Sequence, residues 1–126
     1  MTSHRLVRCS APRLLEHAAA VHPEQLSDGD RAQLPHWRDR APQPDRSSSW
    51  RCALLDGSVL GWCLEVEQGA NGILAHLSAG PIAGRATRMP GSIQRLALQT
   101  WTDRELAELA RAVEDRPGKP SGGPTA

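Results

Sequence analysis

Asp56-Gly57, set between the β-forming runs WRCALL and SVLGWCLEVEQ, constrains the fold of this chain more than any other feature. Asp-Gly is the dipeptide that a type I′ turn prefers, because both central residues then need positive φ. Closed as a two-residue loop, the hairpin pairs Leu55 with Ser58, Leu54 with Val59, Cys52 with Gly61 and Trp50 with Cys63. That register puts Trp50, Cys52, Leu54, Val59, Cys63 and Glu65 on one face. Arg51, Ala53, Leu55, Leu60, Trp62, Leu64 and Val66 fall on the other. Both faces are then substantially apolar and need cover, from the chain's own helices or from a partner.

A second reversal at Gln68-Gly69-Ala70-Asn71-Gly72 returns the chain as a third antiparallel strand, Ile73 to Ser78. Upstream, His4 to Arg8 suits a short strand. Ser10 as N-cap with Pro12 at an early position opens a helix that runs to Val21, and Pro23 ends it. Asp28-Gly29-Asp30 caps a second helix from Arg31 to about Arg40, with Pro35 breaking its middle. Ala41 to Ser49 is rich in Pro and Ser and reads as a linker. Downstream, Ala79 to Ser92 is a Gly/Pro-rich connection carrying Arg85 and Arg88, which face solvent or meet an anion. Arg95 to Thr100 alternates as a fourth strand. Thr102 and Glu105 form a capping box ahead of a helix from Asp103 to about Asp115, whose apolar stripe is Leu106, Leu109, Ala110 and Val113.

The expected class is therefore α+β: a small antiparallel β-meander of three to four strands, a C-terminal helix and one or two N-terminal helices. Residues 1–49 form an N-terminal helical extension with a Pro/Ser linker, residues 50–116 the sheet and C-terminal helix, and residues 117–126 a disordered tail. With 126 residues and neither Phe nor Tyr, the core must draw on Leu and on Trp37, Trp50, Trp62 and Trp101. The residues expected to form the core or an interface are Trp50, Trp62, Leu64, Val66 and Trp101.

Fifteen basic residues against 14 acidic ones leave a net charge of +1, which disfavours direct nucleic-acid contact by charge. No apolar run is long enough to span a bilayer and no charged-then-apolar leader stands near Met1, so the expectation is a soluble, cytoplasmic protein without membrane contact. Cys9, Cys52 and Cys63 are odd in number and include no C-x-x-C pair, which argues for reduced thiols and against a zinc knuckle. His17 and His22 are five apart and do not share a helix face.

One chemical cluster is conceivable. Parity places His76 on the same sheet face as Glu65 and close to Cys63, the parts of a thiolate, a base and an orienting carboxylate. The plainer reading is a buried cysteine beside a cross-strand Glu–His pair, since no oxyanion donors or strained nucleophile turn accompany it. No catalytic residue, metal or cofactor is assigned on this basis.

Trp50-Arg51, then Gly61-Trp62-Cys63-Leu64-Glu65-Val66, then Gly72-Ile73-Leu74-Ala75-His76-Leu77-Ser78 resembles a small actinobacterial family. That family includes the developmental regulator BldB and the short partners of WhiJ-type helix-turn-helix proteins. Its pattern is W-R-x-S-S, G-x-C-V-E-V and G-V-x-V-R-D-S, and the likeness covers residues 50–115. Cys52-Ala53-Leu54 stands in place of the paired serines, and Leu77 and Ala79 in place of charged residues flanking Ser78. A single lysine, Lys119, among the basic residues suits the GC-rich genomes of such organisms. The resemblance implies a non-enzymatic regulatory partner that associates with itself or with a helix-turn-helix transcription factor. A second likeness is to the Gcn-related N-acetyltransferases, through the element order and Asp56, Gly57, Val59 and Gly61 at the first turn. It implies acyl-coenzyme A chemistry, although Gly84-Arg85-Ala86 echoes only the end of that family's pyrophosphate loop.

Overall fold

A computed structural model describes residues 2–34 and 45–114. In chain order they form β1 (Thr2–Val7), α1 (Ala11–Val21), α2 (Asp28–Ala32), β2 (Ser47–Ala53), β3 (Val59–Gln68), β4 (Ile73–Ala83), a 3-10 turn (Arg85–Arg88) and α3 (Gly91–Val113). The strands make one antiparallel sheet in the order β1-β4-β3-β2, so the fold is α+β. The meander is joined by β1, which pairs with β4 from Thr2 opposite Ser78 to Val7 opposite Ile73.

The first hairpin forms, with a register one residue away from the two-residue expectation. Trp50 lies opposite Trp62, Cys52 opposite Leu60 and Ala53 opposite Val59. The loop has three residues. Gly57 donates its N–H to the Leu54 carbonyl at 3.0 Å, and Leu54 donates to the Ser58 carbonyl at 2.7 Å. Gly57 has φ +85 and Asp56 has no positive φ, so this is a type I turn closed by a left-handed glycine instead of type I′. The physical reason is Asp56 itself: its carboxylate accepts the Ser58 N–H at 2.9 Å, which favours the bridging turn and adds one residue to the loop.

A one-residue slip moves side chains to the opposite face. Trp50 therefore joins Trp62, and the apolar side chains collect on a single face. Trp50, Leu60, Trp62, Leu64, Val66, Ile73, Ala75, Leu77 and Val7 pack against Leu14, Leu15 and Ala18 of α1 and Leu98, Leu106, Leu109 and Val113 of α3. The N-terminal strand and helix thus share the core of the meander. Among the described residues the second face carries a smaller cluster, Leu26, Leu34, Cys63 and Ile82, with Val59 packed against it. Leu34 sits over the paired glycines Gly61 and Gly80, where added Cβ atoms would stand 2.7 and 2.5 Å from its methyl carbons.

The C-terminal half differs most from expectation. Arg95 to Thr100 is not a strand; it lies inside α3, which begins at Gly91, twelve residues before Asp103. Thr102 is no N-cap: it is fully buried in mid-helix and donates its hydroxyl to the Leu98 carbonyl four residues back. Leu98, Thr102, Leu106, Leu109 and Val113 form the buried stripe, at spacings of four, four, three and four. The connection starting at Ala79 is shorter than expected, because β4 continues to Ala83 past a register shift at Val59/Leu60.

At the other end of the chain, α1 begins after Ser10 as expected, its hydroxyl accepting the Arg13 N–H at 3.4 Å. The second helix starts earlier than expected, at Asp28, and α2 ends at Ala32; the rest of the expected span, residues 35–40 with its Pro35 break, lies outside the described residues. Asp28-Gly29-Asp30 is its body, not its cap, and Ser27 and Asp30 form a reciprocal capping box. Ser47 to Ser49, expected in the linker, belong to β2. Trp37, the remainder of that linker before Asp45 and the expected tail lie outside the described residues.

Candidate functional site

The tryptophans expected at the core or an interface divide. Trp50, Trp62, Leu64 and Val66 are buried, and Trp101 is half-buried. Trp50 is sandwiched in a stack: its ring lies 6.4 Å from that of Trp62 at 9° and 4.7 Å from the His22 imidazole at 3°. His22 continues outward to Glu105, with Nε2 and Oε2 2.8 Å apart, so the end of α1 is tied to α3 through a ring that also covers Trp50. Among the described residues, neither indole N–H of Trp50 and Trp62 has an acceptor.

The expected chemical cluster assembles only in part. Cys63, Glu65 and His76 do lie on the second sheet face, and Glu65 is directly opposite His76. His76 bonds the diagonal carboxylate instead: its Nε2 is 2.6 Å from Oε2 of Glu67, and its Nδ1 is 2.5 Å from Nδ1 of His4 on β1. One set of tautomers satisfies both contacts, with His76 donating from Nε2 to Glu67 and accepting at Nδ1 from His4. The three groups can hold an imidazole in a fixed orientation. Cys63 does not take part. It is 1% exposed, among Leu26, Leu34 and Ile82. Burial pushes its thiol up to about 12, with the Glu65 carboxylate adding to the shift and the Arg31 guanidinium opposing it. A nucleophilic role needs the thiolate, which this environment withholds. Cys52, on the opposite face, cannot pair with it.

This burial makes a labelling result predictable. In the native protein at neutral pH, iodoacetamide should modify half-exposed Cys9 and Cys52 and leave Cys63 unlabelled until denaturant is added, as read by mass spectrometry of peptides. The folded-state value lies above that of a free thiol. The protonated Cys63 therefore favours the fold fully below the free-thiol range, and that contribution is lost as pH rises toward 12. Native labelling of Cys63 at the rate of Cys9 would refute the buried position.

A separate feature lies at the opposite end of the helical layer. The β2–β3 turn, the 3-10 turn and the first turns of α3 enclose an open groove of about 920 Å3. Its walls are Leu54, Leu55, Met89, Pro90, Ile93 and Trp101, and its rim carries Asp56, Arg85 and Arg88. The groove is built by one crossing of the chain. Gly84, at φ +86, brings the backbone so close to the first turn that an added Cβ would stand 2.7 Å from the Ser58 Cα. Ser58, fully buried, then accepts the Ala86 N–H on its hydroxyl at 2.9 Å, and Gln94 of α3 donates to the Ala86 carbonyl at 2.8 Å. Three segments are thereby locked around the cleft.

Its electrostatics are asymmetric. The Ser58 backbone N–H, then the Ser58 side chain and the nearby Arg85, hold the Asp56 carboxyl below its ordinary range. Arg88 is exposed, and no described carboxylate lies within ion-pair distance of it. Large apolar side chains stand clear of the surface around this end: Leu55 is fully exposed, Ile93 is 52% exposed and Leu96, one helical turn on, is 71% exposed. The two arginines were legible in the sequence as anion candidates; the apolar floor beside them was not. Its signal was present in Gln94-Arg95-Leu96-Ala97-Leu98-Gln99, a run of strong helix formers that begins four residues after Pro90.

Among the described residues no helix is long and apolar enough to cross a membrane, and no three His, Cys, Asp or Glu side chains are placed to hold a metal ion. No protein-family model, curated protein or solved structure matches the chain.

Proposed function

We propose that this is a small non-enzymatic regulatory or accessory protein that acts by protein association. The observation that carries this reading is the pair of exposed apolar side chains, Leu55 and Ile93, that line the groove with Trp101, together with exposed Leu96 one helical turn beyond Ile93. Exposed apolar side chains gathered beside a cleft mark interaction surfaces more often than singly scattered ones do. Trp50, Trp62, Leu64 and Val66 are buried in the core, so on this reading the contact falls to the exposed side chains of the β2–β3 turn and the start of α3. A helix-turn-helix transcription factor is the partner that the family resemblance implies.

Size exclusion with light scattering, run on the protein alone and with the product of a neighbouring helix-turn-helix gene, tests the reading. A stable complex is expected, and Ile93→Asp should abolish it while leaving thermal unfolding unchanged, because Ile93 is half exposed. A strict monomer in both runs refutes it.

A second reading, acyl-coenzyme A binding, is favoured by one observation: α3 starts without a side-chain cap next to Arg85 and Arg88. Titration calorimetry with coenzyme A tests it. Heat that Arg88→Glu removes would support the acyltransferase reading.

A further inference from the structure

We infer that the groove between the β2–β3 turn and α3 receives an acidic amphipathic segment of a different protein, whose apolar side chains fill the cleft while its carboxylates meet Arg85 and Arg88. The inference rests on the association reading and names its partner's chemistry. A cleft of about 920 Å3 has room for two or three anchoring side chains. Leu54, Met89, Ile93 and Trp101 supply an apolar lining of the kind that anchors select, and the half-buried Trp101 is a rigid surface to pack against.

The charges decide between occupants. Asp56 is the acidic group on the rim; it is turned into its own loop by the Ser58 N–H and faces Arg85. The surplus on the rim is positive and centred on Arg88. A second copy of this chain docking about a twofold axis through the same patch would bring this net-positive rim against the same net-positive rim. Like charges facing one another at an interface are unfavourable, whereas carboxylates on a foreign segment would neutralise both guanidiniums. Leu55 and Ile93 line the open groove and are both exposed, which suits a macromolecular segment lying across it better than an enclosed small molecule.

The test is to pan a phage-displayed library of random peptides, about sixteen residues long, on the full chain, and to measure the selected peptides by fluorescence anisotropy. The expected winners combine apolar anchors with Asp or Glu. Their affinity should fall at least about tenfold in Arg85→Glu/Arg88→Glu, and charge-swapped peptides with Lys in place of the acids should bind that variant instead. Both arginines are exposed, so an unchanged thermal melt separates lost binding from lost folding.

Neutral or basic winners that ignore the double reversal but are lost with Ile93→Asp would overturn the acidic partner and leave the association reading intact. A homodimer dissolved by Ile93→Asp would do the same, by showing that a second copy fills the groove. No enriched peptide and no complex of any kind would overturn both.

Discussion

Trp50→Ala is expected to destabilise the protein by about 3–5 kcal/mol, the loss typical of truncating a fully buried aromatic side chain. Trp50 is 1% exposed and stacks on Trp62 on one side and on His22 on the other. Truncation leaves a void beneath the sheet and strips the cover from two neighbouring rings. It also slackens the α1–α3 link, because His22 reaches Glu105 from its position on the Trp50 ring. Set against a total stability of about 5–15 kcal/mol for a domain, the loss is a large share. Urea unfolding followed by circular dichroism measures it as a lower midpoint at unchanged slope. Trp50→Phe is the informative contrast. It keeps a stacked ring and removes an indole N–H that has no acceptor, so it should cost clearly less than the alanine variant. Equal losses for Phe and Ala would show that the stack is not what stabilises this region.

Gly84→Ala should rank next, at roughly 3 kcal/mol or more. Two separate penalties add there. A left-handed φ of +86 is strained for any residue with a Cβ, at about 1–3 kcal/mol, and the new methyl would press on the backbone of Ser58 at 2.7 Å, where overpacking costs about 1–3 kcal/mol more. The backbone cannot swing aside cheaply, because the Ser58 hydroxyl holds Ala86 and the Ala86 carbonyl holds Gln94. Gly57→Ala separates the two penalties. Gly57 has nearly the same φ, +85, yet an added Cβ there meets nothing within 4 Å. Its loss should be the conformational part alone, about 1 kcal/mol. Denaturant midpoints of the two variants measured side by side give the difference, and similar midpoints would refute the close approach that shapes the groove.

The hairpin was legible because Asp56-Gly57 and its β-forming flanks are local signals. Its register was not, since loops of two and three residues share the same dipeptide and only the Asp56 carboxylate's capture of Ser58 selects the longer one. That single residue decided whether the sheet has two apolar faces or one. The lower half of α3 was legible from Leu106, Leu109 and Val113. The upper half was hidden by Thr102 and Glu105, which imitate a helix start although Thr102 is buried four residues beyond Leu98. The same misplacement hid Ile93 and Leu96, and with them the apolar part of the groove. The position of His76 beside a glutamate followed from strand parity, whereas its bond to His4 depends on a pairing between segments more than seventy residues apart, about which local patterns carry no information.

That pairing also sets an order in time. In the strand order β1-β4-β3-β2, β1 hydrogen-bonds, among the described strands, to β4 alone. A ribosome adding about 5–20 residues per second would release Thr2–Val7 several seconds before Ile73–Ala83 exists to receive it. The meander, whose strands are neighbours in sequence, has no such wait and can zip as it emerges. The closing of β1 onto β4 is therefore the step that completes the sheet, after the meander it joins has formed.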